Sequence, residues 1–257
     1  MLFFLPHKNN METSKLSRDD QLRREITERV KEYDIQHEVP YPEDNTGSKR
    51  AAVLLPIKIE HGEVYVLLTK RSAHLRAHPG SVSFPGGKRD ESDGSDIETA
   101  LREAEEEIGL PRHKVTILGI LTRGITLPST VVYPVVGIIP RDFIPIPNPG
   151  EVDFAFYMPL RDFISPDKIT YEMVTIRGKP TLFMSVLYEC EGKVATVWGF
   201  TATYCTLLAK IVFKQTDKVV HIFDEAKDDS TDKHVEGMKE YFELVRNSLS
   251  STTKSKL

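Results

Sequence analysis

Residues 97–108 fit a single secondary structure. At 100° per residue Ile97, Ala100, Leu101, Ala104 and Ile108 fall in one band about 100° wide, and Gly109 follows as a helix stop. A helix with one apolar face needs an apolar surface to lie on, and the chain supplies strands for it. Runs at 51–57 and 64–69, joined by the turn Glu60-His61-Gly62-Glu63, read as a hairpin. Further strand-like runs occupy 115–121, 131–139, 154–158, 174–176, 181–188 and 193–198, while 201–213 and 233–249 have helical periodicity. Strands and helices intermingle without the regular alternation of a doubly wound sheet. This predicts an α+β fold, a mixed sheet sandwiched by helices.

Length and charge bound the rest. At 257 residues the chain has room for one core of about 150–200 residues with added segments. Residues 1–48 read as a surface helix followed by a Pro- and Gly-bearing linker, 49–215 as the domain, and 216–257 as a helix with a polar tail. No run approaches the roughly 18 apolar residues of a membrane span, so no membrane partner is expected. With 34 basic against 38 acidic residues, no global positive field recruits nucleic acid. Cys190 and Cys205 are too few for a disulfide scaffold or a zinc site and are expected to be buried small hydrophobes. The first residues lack a secretory pattern. The last three, Ser255-Lys256-Leu257, form the tripeptide read by the peroxisomal import receptor, which predicts that receptor as a partner and the peroxisome as the location.

The chemistry lies beside the apolar face of the 97–108 helix. Glu103, Glu106 and Glu107 stand at i, i+3 and i+4, so their mutual repulsion costs a few tenths of a kcal/mol per pair. Clustered carboxylate oxygens are the hard ligands that Mg²⁺ or Mn²⁺ prefer, and such ions usually accompany phosphate groups. A solvated acidic face is the plainer alternative. Against it stands the loop Phe84-Pro85-Gly86-Gly87, whose glycines let backbone approach a ligand closely just before the helix. Arg102, next to Glu103, is suited to orient a loop carbonyl or a carboxylate.

The segment 102–110, Arg-Glu-Ala-Glu-Glu-Glu-Ile-Gly-Leu, resembles the second half of the box of the Nudix hydrolases, G-x5-E-x7-R-E-U-x-E-E-x-G-U, here spanning 87–110. The first half departs: fourteen residues separate Gly87 from Arg102, and Gly94 and Ser95 stand where the box has its first glutamate. The coenzyme A branch of the family has G-G-K-x-D-x-x-D-x-D at this point, matched by Gly86, Gly87, Lys88, Asp90, Asp93 and, one residue late, Asp96. Its upstream run, L-L-T-x-R-S-x3-R-x3-G-x3-F-P-G-G, is filled at Leu67, Leu68, Thr69, Arg71, Ser72, Arg76, Gly80, Phe84, Pro85, Gly86 and Gly87. The resemblance covers roughly residues 48–215.

The resemblance implies a Nudix α/β/α sandwich and metal-dependent hydrolysis of a diphosphate bond in coenzyme A or acyl-coenzyme A, giving 3′,5′-ADP and 4′-phosphopantetheine or its acyl form. It implies Mg²⁺ or Mn²⁺ as cofactor, held by Glu103, Glu106 and Glu107, one of which polarises the attacking water, with Arg102 among the catalytic set. Arg71 and Arg76 become candidates for gripping the 3′-phosphate, or else for pairing with Asp90 or Asp93, and Gly86 and Gly87 line the substrate. Glu151 is a candidate fourth carboxylate or a structural cap. His74 and His78 stand outside the site, and Trp198 and Phe200 either stack on adenine or fill the core. The rival readings are a Nudix enzyme cleaving NADH or ADP-ribose and a catalytically silent nucleotide-binding Nudix domain.

Overall fold

The structure is a computed structural model that describes residues 17–36, 49–75, 78–126, 130–176 and 179–215. Arg76, the linker at 37–48, the helix expected at 233–249 and the 255–257 tripeptide lie outside the described residues. The strand β1 (Lys49–Glu60) organises the fold. It pairs in parallel with β7 (Thr130–Ile138) along one edge. Its other edge is shared by β2 (Glu63–Arg71) and the short β4 (Gly86–Lys88), both antiparallel. The main sheet is completed by β3 (Val82–Ser83) and β8 (Val152–Pro159) on β2, and by β5 (Thr116–Ile120) and β6 (Gly124–Thr126) on β7. A sheet with parallel and antiparallel pairs is mixed, as the sequence predicts. A second, three-stranded antiparallel sheet joins β9 (Ile169–Ile176), β10 (Lys179–Cys190) and β11 (Lys193–Trp198).

The period-2 alternation of β1 divides the core in two. Ala52 and Leu54 face α2 (Asp96–Ile108), which buries Ala100, Ala104 and Ile108 against them. Leu55 and Ile57 point the other way, into a larger cluster shared with α1 (Arg18–Lys31), α3 (Gly199–Val212) and the small sheet. Helices therefore cover both faces. Among the described residues no helix is long and apolar enough to cross a membrane.

Two expectations are corrected. The N-terminal helix is no mere surface element: Ile26 and Val30 are fully buried in the larger cluster, and Arg29 donates to the carbonyl of Val212 at the end of α3. Asp34, just beyond it, accepts from the amide of Ile120 at 2.8 Å and packs where a side chain on Gly119 would lie. The dense charge of the segment hid two apolar residues four apart, enough for one inward stripe. Cys190 is exposed at the end of β10, whereas Cys205 is buried in α3 with its thiol pushed well up by burial.

Candidate active site

Helix α2 is fixed at both ends. Ser95 accepts from the amide of Glu98 as N-cap, and Gly109 closes the other end at φ 68°, where a left-handed residue favours glycine. With its apolar face locked to the sheet, the rotation of the helix is set. Glu103 and Glu107 then turn toward β4 and the end of β2, while Glu106 remains half exposed at 52% of its side chain.

The glycine pair makes this approach possible. Gly86 has φ 155° and pairs with Val53; a Cβ there would lie 2.5 Å from Ala52 O and Val53 Cα. Gly87 leaves room for the Glu103 carboxylate, since a Cβ at Gly87 would meet Glu103 Cδ at 2.5 Å. The Gly86 amide also points at Glu107 Oε2, at 3.4 Å.

Arg102 ties the helix to the loop before it. Its Nε and Nη2 donate to the two oxygens of Asp93, both at 2.9 Å, and Nη2 also donates to the carbonyl of Lys88 at 3.1 Å. Nη1 reaches Glu103 Oε1 at 3.0 Å and Glu106 Oε2 at 3.1 Å. The sequence expectation of an arginine that orients a loop carbonyl and carboxylates describes these bonds. Asp93 is the residue that sequence reasoning undervalued. It is buried, accepts also from Thr99 Oγ1 and the Asp90 amide at 2.9 Å each, and Arg102 holds its carboxyl well below the usual carboxylate range. Its place in the run G-G-K-x-D-x-x-D was the available signal.

Arg71 reaches the site through an irregularity. The β2–β8 register shifts between Lys70 and Arg71, so that Arg71 opposes Val152. Flanking backbone bonds, Arg71 N–H to Ser81 O at 2.9 Å and Ser72 N–H to Glu151 O at 2.8 Å, hold that turn. The guanidinium faces Glu107, Nη1 to Oε1 at 3.8 Å, and neither Asp90 nor Asp93 is its partner: Asp93 is taken by Arg102, and Asp90 accepts from Ser92.

Burial dominates the electrostatics. Glu107, 2% exposed, is pushed up to about 8 by burial; Arg71 opposes the shift, while Glu103 and Glu151 add to it. Glu103 is raised too, by burial first, with Arg102 opposing and Glu106 and Glu151 contributing repulsion. Glu151 therefore shares the field of the two inner glutamates. His74 and His78 serve loop turns, the former donating its amide to Ser72 Oγ at 3.4 Å and the latter accepting from Ser81 Oγ at 2.7 Å. Trp198 is 47% exposed at the end of β11, so it is not a core residue, whereas Phe200 packs against the larger cluster, 4.4 Å from the Tyr204 ring.

Among the described residues no three His, Cys, Asp or Glu side chains are gathered closely enough to hold a metal ion. The donor chemistry still fits a hard divalent cation: buried Glu107 and part-buried Glu103 are neighbouring carboxylates, with Glu151 near, and burial first, with repulsion from neighbouring carboxylates after it, raises both. Arginine side chains lie against these carboxylates, Arg71 at Glu107 and Arg102 at Glu103.

Comparison with known proteins agrees with this geometry. The NUDIX domain family model matches residues 48–176. The chain is 34% identical over 180 residues to a protein of Mus musculus named peroxisomal coenzyme A diphosphatase NUDT7, covering 69% of this chain and 76% of that one. It is 38% identical over 187 residues to an uncharacterized Nudix hydrolase, NudL, of Photorhabdus laumondii, covering 73% and 97%. It is 39% identical over 176 residues to the mitochondrial Nudix hydrolase 15 of Arabidopsis thaliana, covering 67% of this chain and 61% of the relative.

Proposed function

Because the chain belongs to the Nudix family, whose α+β fold it has, we propose that it hydrolyses the diphosphate bond of coenzyme A and acyl-coenzyme A in peroxisomes. The products would be 3′,5′-ADP and 4′-phosphopantetheine or its acyl form. At the coarser level the chain is a Nudix hydrolase acting on phosphoric anhydrides.

The observation that carries the proposal is the meeting of two sequence runs at one point. Arg71, from the upstream coenzyme A run, faces Glu107 of the Nudix helix, with Gly86 between the strand and that carboxylate. The relative named a peroxisomal coenzyme A diphosphatase and the tripeptide at 255–257 support substrate and location.

Nudix hydrolases generally use divalent ions such as Mg²⁺ or Mn²⁺. In this reading Glu103 and Glu107 hold the ion, with Glu106 at the rim and Glu151 as a further carboxylate; the ion supplies charge neutralisation to the diphosphate. One of the three box glutamates polarises the attacking water. Arg102 is a positioning residue, holding Glu103 and the Lys88 carbonyl in place. Arg71 faces the substrate, and Gly86 and Gly87 keep backbone clear for its approach.

The test is turnover of free coenzyme A with Mg²⁺ or Mn²⁺, products separated by chromatography, beside Glu107→Gln and parallel assays with NADH and ADP-ribose. Release of 3′,5′-ADP that disappears in the variant is the expected result. Faster cleavage of NADH or ADP-ribose would replace the substrate, and no turnover of any of them would favour a silent nucleotide-binding domain. Import is tested by a fluorescent fusion carrying 248–257, which is expected to gather in peroxisomes and to lose them when Leu257 is removed.

A further inference from the structure

We propose that Arg71 stands in for the divalent cation at Glu107 and passes to the substrate diphosphate when the cation arrives. The inference rests on the diphosphate-hydrolase reading and deepens it. It also moves Arg71 away from the 3′-phosphate, the role its sequence position suggests.

Three observations carry it. The guanidinium is built in place: the register shift at Lys70/Arg71 and the backbone bonds of Arg71 to Ser81 and Ser72 to Glu151 direct the side chain at the carboxylate helix. It is underused there. Nη1 stands 3.8 Å from Glu107 Oε1, beyond hydrogen-bond range, and the buried Nε has no hydrogen-bond partner among the described residues. An arginine whose fork matches paired phosphate oxygens is costly to leave so poorly bonded, and a bound anion would satisfy it. Finally, the guanidinium and a divalent cation compete for one carboxylate. Glu107 is 2% exposed and shares its surroundings with Glu103 and Glu151, so its ionised form is favoured by a neighbouring positive charge, whether from Arg71 or from the ion. Arg71 supplies one unit of it. A divalent ion at Glu107 supplies two and repels the guanidinium, which then has the diphosphate as its natural partner.

The contrast with Arg102 sharpens the assignment. Arg102 is saturated by Asp93, Lys88, Glu103 and Glu106, and has no fork left for a ligand. Arg71 has only the loose contact with Glu107 among the described residues, so it is the arginine able to change partner.

The experiment measures Mn²⁺ binding to the full-length protein without substrate, by calorimetry and by the spectrum of free Mn²⁺, for wild type, Arg71→Gln and Arg71→Lys. Removing the competing charge is expected to tighten Mn²⁺ binding at least about tenfold in Arg71→Gln and to leave Arg71→Lys near wild type. With substrate, Arg71→Gln is expected to lose roughly 10²–10³-fold in kcat, equally for coenzyme A and its 3′-dephospho form. Weaker or unchanged Mn²⁺ binding in a folded Arg71→Gln protein overturns the proposal. So does a loss confined to KM for coenzyme A, which would make Arg71 a 3′-phosphate reader. Should the wild type cleave no diphosphate, the functional reading falls while the Mn²⁺ comparison still decides the stand-in role.

Discussion

The Glu103 carboxylate occupies the space that any side chain on Gly87 would need, with Cδ and both oxygens within 2.6 Å of where a Cβ would sit. A glycine in a strand and a glutamate on a helix are thus a single fitted pair, and the loop can carry no other residue at 87 unless the glutamate moves.

Gly87→Ala is therefore expected to leave the fold intact while lowering kcat. The added methyl has to push the end of a side chain, which can yield, and a displaced carboxylate of about 1 Å costs roughly 100-fold. Steady-state kinetics paired with a thermal melt checks this: a large fall in both would point to backbone disruption, and unchanged kinetics would remove Glu103 from the reaction.

The three box glutamates are not equivalent. Glu103→Gln and Glu107→Gln are expected to lose roughly 10²–10⁴-fold in kcat. Glu106, half exposed and answered by Arg102, should cost less than either when changed to glutamine. Kinetics of the three single variants at saturating Mg²⁺ would rank them, and a dominant loss at Glu106 would contradict the geometry.

Asp93→Asn should destabilise the protein by about 2 kcal/mol, because a buried carboxylate bonded to Arg102, Thr99 and the Asp90 amide loses its charge. The sign with pH follows from a carboxyl held below its ordinary value. Its contribution is fully present above the unfolded value near pH 4 and is lost as the pH falls through the lower folded value. Denaturant melts should show a constant gap between wild type and variant at pH 6–8 that narrows below about pH 4.

Ile26→Ala should cost about 3 kcal/mol although it lies far from the chemistry, since the side chain is fully buried in the larger core cluster. A negligible shift in the denaturation midpoint would mean that α1 is a detachable arm.

Legibility followed the range of the interactions. The helix 97–108, its Gly109 stop and the hairpin of β1 and β2 were readable because local periodicity and turn chemistry fix them. The short strands β3, β4 and β6 were not, because two or three residues have no period and exist only through pairing with β1, β2 and β7. Within the site, the order Glu103–Glu106–Glu107 located the acidic stripe, but which glutamates turn inward depends on how α2 is rotated against the sheet. Asp93 and Arg102 are nine residues apart, and their pairing needs the loop to fold back on the helix. Arg71 and Glu107 are thirty-six residues apart, and Arg71 sits at a register irregularity between β2 and β8 that residue types do not announce.

The fork in β1, which carries β2 along one stretch of an edge and β4 along the next, has a thermodynamic corollary. Gly86 and Gly87 lie in register with Val53 and Ala52 of the strand that both halves of the core are built on, and the Leu54 amide donates to Pro85 O at 2.8 Å at the branch. The glycine loop therefore has no cheap local opening of its own. The Gly87 amide, opposite Ala52, should exchange with solvent deuterium as slowly as those of the central strands, one cooperative unit with them, so that whatever loosens the domain loosens the site in the same event.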